Sequence, residues 1–251
     1  MVNSKFDRKK VTADLINWIK EYFEKNASAT TKAVVGISGG KDSSVVTTLC
    51  VQALGKERVV GVLMPQGEQS DIDVSYQLCK HLNIEPVVVN VKPAVDGLYE
   101  ELKKTSLTLN DVATFNTPAR MRMATLYAIS AMVGGRVANT CNYSEDYIGY
   151  ATKFGDGAGD FSPLSSLTVS EVKEIGRELG LPSMFVDKTP IDGLCGKTDE
   201  DNLGFSYDTL DKYINEGVCD NADIKAKIDI MYKNNLHKVV PMPKFTVDFR
   251  D

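Results

Sequence analysis

Long apolar stretches are absent from the sequence. No run approaches the roughly 18 residues of a membrane span, and the first residues lack the apolar segment of a signal peptide. Basic residues are not in excess either, because the formal net charge is −5 and no global positive field favours nucleic acid. We therefore expect a protein that binds neither a membrane nor nucleic acid.

Paired cysteines are also missing. The five cysteines are scattered and form no Cys-x-x-Cys pair, so the sequence offers neither a zinc site nor a disulfide framework. This usage is typical of reduced thiols, and we predict a cytoplasmic location. The residues are Cys50, Cys79, Cys141, Cys195 and Cys219.

Strand and helix patterns alternate along the chain. The β-branched runs lie at Val34, Val35 and Ile37 and at 58–64, 86–91 and 137–140, and helical spacing is found between them. The longest internal helix is predicted at 117–132, and two shorter helices at 206–215 and 221–235. Buried strands alternating with helices are typical of a parallel sheet covered by helices on both faces, a Rossmann-like α/β fold of three layers. Ligands of such sheets bind beyond the carboxyl ends of the strands.

The loop after the first strand carries the clearest chemistry. It reads Ser38-Gly-Gly-Lys-Asp-Ser-Ser44 and leads directly into a helical pattern. Adjacent glycines allow the backbone to approach a ligand, and the helix start favours an anion. Asp42 fits an anion site only if a cation such as Mg²⁺ is also bound there. The alternative is an ordinary tight turn with an Asp/Ser cap.

This loop closely resembles the Ser-Gly-Gly-x-Asp-Ser loop of N-type ATP pyrophosphatases. Later segments resemble NAD synthetases in particular, in one colinear order from about residue 10 to the end. These segments are Asn116-Thr-Pro-Ala-Arg120-Met-Arg122-Met, Thr140-Cys-Asn-Tyr-Ser-Glu145, Thr152-Lys-Phe-Gly-Asp-Gly157 with Asp160, Thr198-Asp-Glu200 and His237-Lys238. The resemblance implies an adenine-nucleotide α-hydrolase-like fold over a single domain, 1–251, with a lid at about 187–206.

The resemblance also implies a reaction. ATP adenylates the carboxylate of nicotinate adenine dinucleotide (deamido-NAD) with release of pyrophosphate, and ammonia then displaces AMP to give NAD. The implied ATP ligands are Gly36, Ile37, Ser38, Gly39, Gly40, Lys41, Asp42, Ser43, Ser44, Gln69, Thr140 and Lys188. Asp42 and Glu145 are the implied Mg²⁺ ligands, two carboxylates that suit a hard cation.

The dinucleotide is expected to contact a second set of residues, and three residues are expected to act in catalysis. The first set is Arg120, Lys153, Asp160, His237 and Lys238, and the catalytic set is Asp42, Lys153 and Asp156. Four of the implied site residues have a simpler alternative: Glu145 as a solvated carboxylate at a helix start, Arg120 and His237 as surface residues, and Asp156 as a turn residue.

Some positions depart from the family pattern. Val169 stands where many relatives have Lys, Ile191 where many have Ser or Thr, Val239 where Arg is frequent, and Asn139 where Gly is usual. The first two positions contact ATP in those relatives. We therefore consider whether Lys41 or Lys188 supplies the missing charge.

Nitrogen source and assembly also follow from the resemblance. Because the synthetase pattern starts near residue 10, no glutaminase domain is expected and free ammonia is the predicted donor. A homodimer is expected, with the 117–132 helix as its interface through Met121, Met123, Leu126, Tyr127 and Ile129. Core packing of those same side chains is the alternative.

Two other functions remain open at this stage. The first is another adenylating enzyme of the same loop class, and the second is a nucleotide-binding regulatory protein without turnover. The replacements Val169 and Ile191 support the second, whereas Asp42, Glu145 and Lys153 argue against it.

Overall fold

The computed structural model describes residues 2–187 and 198–247. Its sheet contains four parallel strands in the order β3-β2-β1-β4, with β1 at Lys32–Gly36 in the centre. The other strands are β2 (Val59–Leu63), β3 (Val87–Val88) and β4 (Gly135–Val137). In register, Ala33 lies beside Val59 and Arg136.

Helices fill the segments between and after the strands. They are α1 (Arg8–Asn26), α2 (Lys41–Leu54), α3 (Ile72–Leu82), α4 (Lys92–Leu102), α5 (Asp111–Val133), α6 (Tyr143–Ile148), α7 (Val169–Glu178), α8 (Ser183–Val186), α9 (Asp199–Leu203), α10 (Tyr207–Glu216) and α11 (Ala222–Val239), with a 3₁₀ turn at Lys56–Arg58. None of the helices in the described part of the chain is long and apolar enough to cross a bilayer.

Alternate side chains of the central strands bury on opposite faces of the sheet. Ala33 and Val35 join a cluster with residues of α1, α2 and α7, whereas Val34 joins a second cluster with Met123 and Leu126 of α5. This period of two is what an extended strand imposes. The predicted three-layer α/β fold is therefore confirmed.

A third apolar cluster lies outside these layers and joins α6, α7, α10 and α11. It contains Ile148, Val169, Leu210 and Ile228, all buried. A buried carboxylate, Asp211 of α10, connects α6, α7 and α10, and it is fully shielded from solvent.

Asp211 accepts hydrogen bonds from three groups on two neighbouring helices. The hydroxyl of Ser144 donates to it at 2.5 Å, and Ser170 donates from its hydroxyl at 2.6 Å and from its amide at 2.8 Å. The carboxylate therefore fixes the first turns of α6 and α7 against α10.

The helix predicted at 117–132 begins earlier than expected, at Asp111, with Asn110 as its N-cap. Pro118 lies inside it and cannot donate to the carbonyl of Thr114, four residues earlier. The hydroxyl of Tyr99 donates to that carbonyl instead, at 3.0 Å. A hydrogen bond from α4 thus replaces the one that proline removes, which is why the proline did not mark the helix start.

Other boundaries differ as well. The predicted strand at 86–91 is only Val87–Val88, at the exposed edge of the sheet, and the strand predicted at 137–140 ends at Val137. The last helix continues through Val239, so His237 and Lys238 belong to its final turn. Of the predicted lid, 198–206 is described and 188–197 lies outside the described residues.

The proposed interface residues of α5 divide into two groups. Met123, Leu126 and Ile129 are buried beneath the sheet, so core packing accounts for these three. Of the other two, Met121 is half-buried and Tyr127 is 39% exposed. Met132, which was not among the proposed interface residues, is 84% exposed on the same helix.

Candidate functional site

The loop between β1 and α2 presents the start of α2 to the carboxyl edge of the sheet. Gly40 is the N-cap residue, and Gly39 has φ +82°, a left-handed conformation that favours glycine. A Cβ on Gly39 would also meet the Ser75 hydroxyl at 3.1 Å. The hydroxyls of Ser38 and Ser43 lie 3.1 Å apart across the loop. The local sequence thus builds a tight turn with helix amides directed at its mouth, an arrangement suited to phosphate.

A cleft of about 590 Å³ opens above this edge. Five of the predicted ATP ligands line it, together with Asp156: Gly36, Ile37, Ser38, Gln69 and Thr140. The rest of the predicted loop, Gly39, Gly40, Lys41, Asp42, Ser43 and Ser44, continues from Ser38 into the first turn of α2. Lys188 and Ile191 lie outside the described residues. The segments after β1, β2 and β4 therefore meet in one cleft.

The two predicted metal ligands are brought together by a residue that was not among the predicted ligands. Asn142 is fully buried and caps α6. Its side-chain amide donates to Asp42 Oδ1 at 3.0 Å, and its backbone N–H donates to Glu145 Oε2 at 3.2 Å. Its side-chain oxygen, Oδ1, accepts from the backbone N–H of Glu145 at 3.1 Å. Asn142 therefore fixes both carboxylates, and its signal in the sequence was the Asn-x-x-Glu spacing of a capping box.

Lys41 is the positive charge of this centre. Its side chain is 2% exposed, and its ammonium lies 2.9 Å from Asp42 Oδ2. Burial alone would lower the pKa of Lys41, but the carboxylates of Asp42 and Glu145 outweigh it and hold that pKa above its ordinary value. Burial and the charge of Asp42 raise the pKa of Glu145 well above its usual range. One ammonium thus balances two carboxylates.

A second, smaller cavity of about 350 Å³ lies next to the segment 157–162. Three predicted dinucleotide ligands line it, Lys153, Asp160 and Lys238, together with Asp146 and Asn139. The two cavities share a wall. Asn139 donates to the carbonyl of Asp156 at 2.9 Å, and Asp156 itself lines the larger cleft.

The side-chain hydrogen bonds of Asn139 account for the presence of asparagine where the family usually has glycine. Its amide also donates to the Ala158 carbonyl at 3.1 Å, while its oxygen accepts from the Cys141 amide at 2.9 Å and the Ser162 hydroxyl at 3.0 Å. A glycine could make none of these side-chain bonds. Asn139 therefore braces the wall between the cavities.

The predicted dinucleotide cations donate to backbone carbonyls. Arg120 donates to the Lys153 carbonyl at 3.2 Å, Lys153 to the His237 carbonyl at 2.5 Å, and Lys238 to the Gly149 carbonyl at 2.8 Å. Neutral acceptors leave the positive charge of these side chains available to an anion. The ring of His237 is exposed and lies 3.0 Å from the Asn234 carbonyl.

Two further residues were missed by the sequence prediction. Arg122 lines the larger cleft, donates to the Met64 carbonyl at 3.0 Å, and has its pKa lowered by burial. It belongs to the Arg-x-Arg segment quoted for the family, but only Arg120 was chosen. Asp146 lines the smaller cavity, and burial with the charge of Asp156 raises its pKa to about 6.

The remaining departures are placed as follows. Val169 is 3% exposed in the third apolar cluster, so it offers no charge to the cleft. Val239 lines the smaller cavity beside Lys238. No group of three or more acidic, His or Cys side chains with metal-binding geometry is found among the described residues. A cation between Asp42 and Glu145 would therefore need further oxygen ligands from a substrate or from water.

Comparison with known proteins decides the family. The family model for NAD synthase matches residues 11–245. The chain belongs to the NAD synthase family. It is therefore a nucleotide-binding, amide-forming ligase of NAD biosynthesis, and ATP is the co-substrate of the family. This membership favours the ligase over both alternative functions.

Individual relatives of this NAD synthase agree. The chain is 36% identical over 243 residues to the NH(3)-dependent NAD(+) synthetase of Pyrococcus furiosus, with 91% of each chain covered. Among solved structures, the NMN synthetase of Francisella tularensis is 31% identical with a TM-score of 0.87, covering 98% of this chain and 100% of that one. An NH3-dependent NAD synthetase of Campylobacter jejuni, solved with a nitrate ion, is 29% identical with a TM-score of 0.77, covering 96% and 100%.

Proposed function

We propose that this NAD synthase amidates deamido-NAD with ammonia. In the first step the nicotinate carboxylate attacks the α-phosphorus of ATP, so that an acyl-adenylate forms and pyrophosphate leaves. In the second step ammonia attacks the acyl carbon, the C–O bond to AMP breaks, and one proton is released. The overall change converts deamido-NAD, ATP and ammonia into NAD, AMP and pyrophosphate.

The carboxylate pair of Asp42 and Glu145 is the observation that carries this proposal. Both side chains are held by Asn142 at the start of α2, where helix amides favour an anion. A site for an anion alone has no use for two acidic groups. Carboxylates beside a phosphate site are explained if a divalent cation neutralises the departing pyrophosphate.

The donor set fits Mg²⁺, which takes oxygen ligands and commonly keeps phosphate oxygens and water in its coordination shell. We propose Asp42 and Glu145 as its protein ligands. The ion, when bound, supplies charge neutralisation for the leaving phosphates. The chain's own contribution is to fix the two carboxylates, to place the loop amides of 38–44 around phosphate oxygens, and to add the charge of Lys41.

The two cavities support the proposed division of substrates. ATP is assigned to the larger cleft with Gln69 and Thr140, and the nicotinate nucleotide to the smaller cavity with Lys153, Asp160 and Lys238. Residues 156–159 form the wall between the two cavities, with Asp156 facing the larger one. We therefore propose that the nicotinate carboxylate and the α-phosphate meet beside Asp156. We assign Asp156 to the ammonia step, where a carboxylate can accept the proton that the attacking amine loses.

Arg120 and His237 do not line the smaller cavity, but each is bonded to Lys153, which does. Arg120 donates to the Lys153 backbone carbonyl, and the His237 carbonyl accepts from the Lys153 ammonium. We propose that they contact the phosphates or the distal nucleotide of the substrate.

A second candidate substrate is nicotinate mononucleotide. The support is the higher TM-score to the Francisella tularensis NMN synthetase, 0.87 against 0.77 for the Campylobacter jejuni enzyme. Amidation of the mononucleotide would use the same chemistry and the same carboxylate pair. It would not need contacts to a second nucleotide.

The test is product formation from each nicotinate nucleotide with MgATP and ammonium, beside the variant Asp42→Asn. NAD from deamido-NAD, lost by about a thousandfold or more in the variant, is the expected result. Asp73→Ala, an exposed acidic residue in the first turn of α3, is the matched control and should keep full activity. NMN formed in preference to NAD would replace the first proposal by the second, and glutamine serving as well as ammonium would contradict the nitrogen source.

We also propose that the enzyme works in the cytoplasm as a homodimer. The four cysteines of the described residues are free thiols, and the exposed Tyr127 and Met132 of α5 are available for a second copy. A monomer by light scattering at assay concentration would contradict the dimer.

A further inference from the structure

The hydroxyl of Tyr207 is buried and finds no hydrogen-bond partner among the described residues. The residue as a whole is 6% exposed. Leaving such a hydroxyl unpaired is unfavourable, and buried polar groups without a partner are rare in native proteins. The group therefore calls for a ligand.

Tyr207 is held firmly in place. It is the first residue of α10, with Ser206 as N-cap, and its backbone N–H donates to Glu200 Oε1 at 2.8 Å. Its ring packs in the third apolar cluster with Leu203 and Val169. The position of the hydroxyl is thus set by the fold and not by a flexible side chain.

The Tyr207 ring lies next to the charged groups of the site, Lys41, Asp42 and Glu145. The ammonium of Lys41 lies 5.6 Å from the ring centroid, over its face. The carboxylates of Glu145, Asp199 and Asp42 lie close enough to act on the phenol electrostatically. The hydroxyl is bonded to none of these carboxylates, so its hydrogen is available to another acceptor near the Lys41 ammonium.

An oxygen of a phosphate group satisfies this donor best. The start of α2 offers amides, Lys41 offers a buried positive charge, and Asp42 and Glu145 are placed for a cation that accompanies phosphate. An acceptor carrying negative charge forms a stronger hydrogen bond than a neutral one. A hydroxyl at this point would meet the end of the nucleotide that carries the leaving group.

We propose that Tyr207 is an additional ligand of the β- and γ-phosphates of ATP, donating from its hydroxyl while its ring holds Lys41 in place. The proposal rests on the proposed function for the identity of the nucleotide. It assigns to α10, outside the strand-end loops, a direct contact with the pyrophosphate leaving group.

The test compares Tyr207→Phe with Tyr213→Phe by calorimetric binding of a non-hydrolysable α,β-methylene ATP analogue and of AMP, both with Mg²⁺. The Tyr213 hydroxyl is on the same helix but is exposed and bonded to Asp229 Oδ1 at 2.7 Å, so its loss serves as the control. Tyr207→Phe should bind the ATP analogue about tenfold more weakly and AMP unchanged, because AMP lacks the contacted phosphates. Its thermal stability should be equal to or above that of the wild type, since no internal hydrogen bond is lost.

Three results would overturn the proposal. They are unchanged affinity for the ATP analogue, equal weakening for AMP and the analogue, or lower thermal stability with unchanged affinity, which would mean that the hydroxyl is bonded within the protein.

The proposed function is judged separately. An enzyme that amidates neither nicotinate nucleotide yet binds the analogue through Tyr207 would refute the function alone, whereas full NAD synthesis with Tyr207-independent binding would refute this inference alone.

Discussion

The two halves of the site are built on opposite principles. On the proposed phosphate side, Asp42, Asn142 and Glu145 are joined by hydrogen bonds of 3.0 and 3.2 Å in a largely buried network. On the open side, Arg120, Lys153 and Lys238 donate only to main-chain carbonyls and lie nearer the solvent. The first arrangement fixes the positions of the two carboxylates before any substrate binds. The second leaves the three positive charges available to an anionic substrate.

This difference follows from what each half must do. Carboxylates that share a cation must be held at a definite separation against their mutual repulsion, so a buried bridge is needed. Cations that attract an anionic substrate would lose that attraction if carboxylates neutralised them. The comparison predicts that variants on the phosphate side change turnover and stability together, whereas variants on the open side change substrate affinity alone.

Among the variants that test this comparison, Asn142→Ala should have the largest effect. Loss of the side chain frees Asp42 and removes the cap of α6, whereas the backbone N–H that holds Glu145 remains. We therefore expect kcat to fall by about 10- to 100-fold and the free energy of unfolding by about 1–2 kcal/mol. Steady-state kinetics and urea unfolding measure the two changes. Asn110→Ala removes a comparable cap from α5 and should cost similar stability with normal kcat. Equal kcat values for the two variants would show that the bridge does not position the carboxylates.

A smaller and more selective effect is expected for Lys153→Met. The KM for the nicotinate nucleotide should rise by about tenfold, since one charged contact is lost, while the KM for ATP and the unfolding free energy stay nearly constant. Lys104→Met, which removes an exposed cation paired with Glu101, is the control and should change neither KM. A parallel rise in both KM values would remove the distinction between the two substrate cavities.

The smallest effect concerns the reactivity of the three buried thiols, Cys50, Cys79 and Cys141. It is measured in the double variant Cys195→Ser and Cys219→Ser, in which only these three cysteines remain. Burial raises the pKa of Cys50 to about 12 and that of Cys79 to about 11, and it raises the pKa of Cys141, beneath the wall at Asn139, well above its ordinary value. Since the thiolate is the reacting form, labelling near pH 8 should be slow in the folded protein and fast in urea.

The sign of the accompanying pH dependence follows from the raised values. The unfolded thiols ionise near pH 8.5, so the stability contributed by protonated buried thiols is complete below that pH and is lost as the pH rises towards 11–12. Rapid labelling of Cys141 near pH 8 would mean that the phosphate side opens to solvent, and the contrast between the two halves would fail.

Much of the fold could be predicted because its signals are local. Alternating β-branched strands and helical spacing indicate the parallel sheet, and the Ser38–Ser44 loop indicates a helix start facing a ligand. The start of α5 could not be predicted in this way. Pro118 is a strong local boundary signal, and its effect is cancelled by a hydroxyl of another helix, Tyr99, which only tertiary structure brings near.

The site residues show the same difference between local sequence signals and contacts that only the tertiary structure creates. Asp42 and Glu145 were predicted from motif residues, and the structure places both beside Asn142. Asn142 itself and Arg122 lay within the quoted motifs but were not chosen, because their partners are distant in sequence. Tyr207 lies in a segment, 206–208, that resembles the family's lid, but the lack of a partner for its hydroxyl among the described residues could not be predicted, since it is a property of the packed structure.

The buried carboxylate of Asp211 has a consequence for the order in which the enzyme becomes competent during synthesis. The strand-end loop with Asp42 leaves the ribosome early, but α6, which carries Glu145, is anchored through Ser144 to a residue of α10. The proposed metal-binding pair, Asp42 and Glu145, is therefore completed only after most of the chain has been made. A nascent or truncated chain that ends before α10 contains both carboxylates but lacks the anchor that sets their separation. We therefore expect such a chain not to cleave ATP until the C-terminal helices have folded.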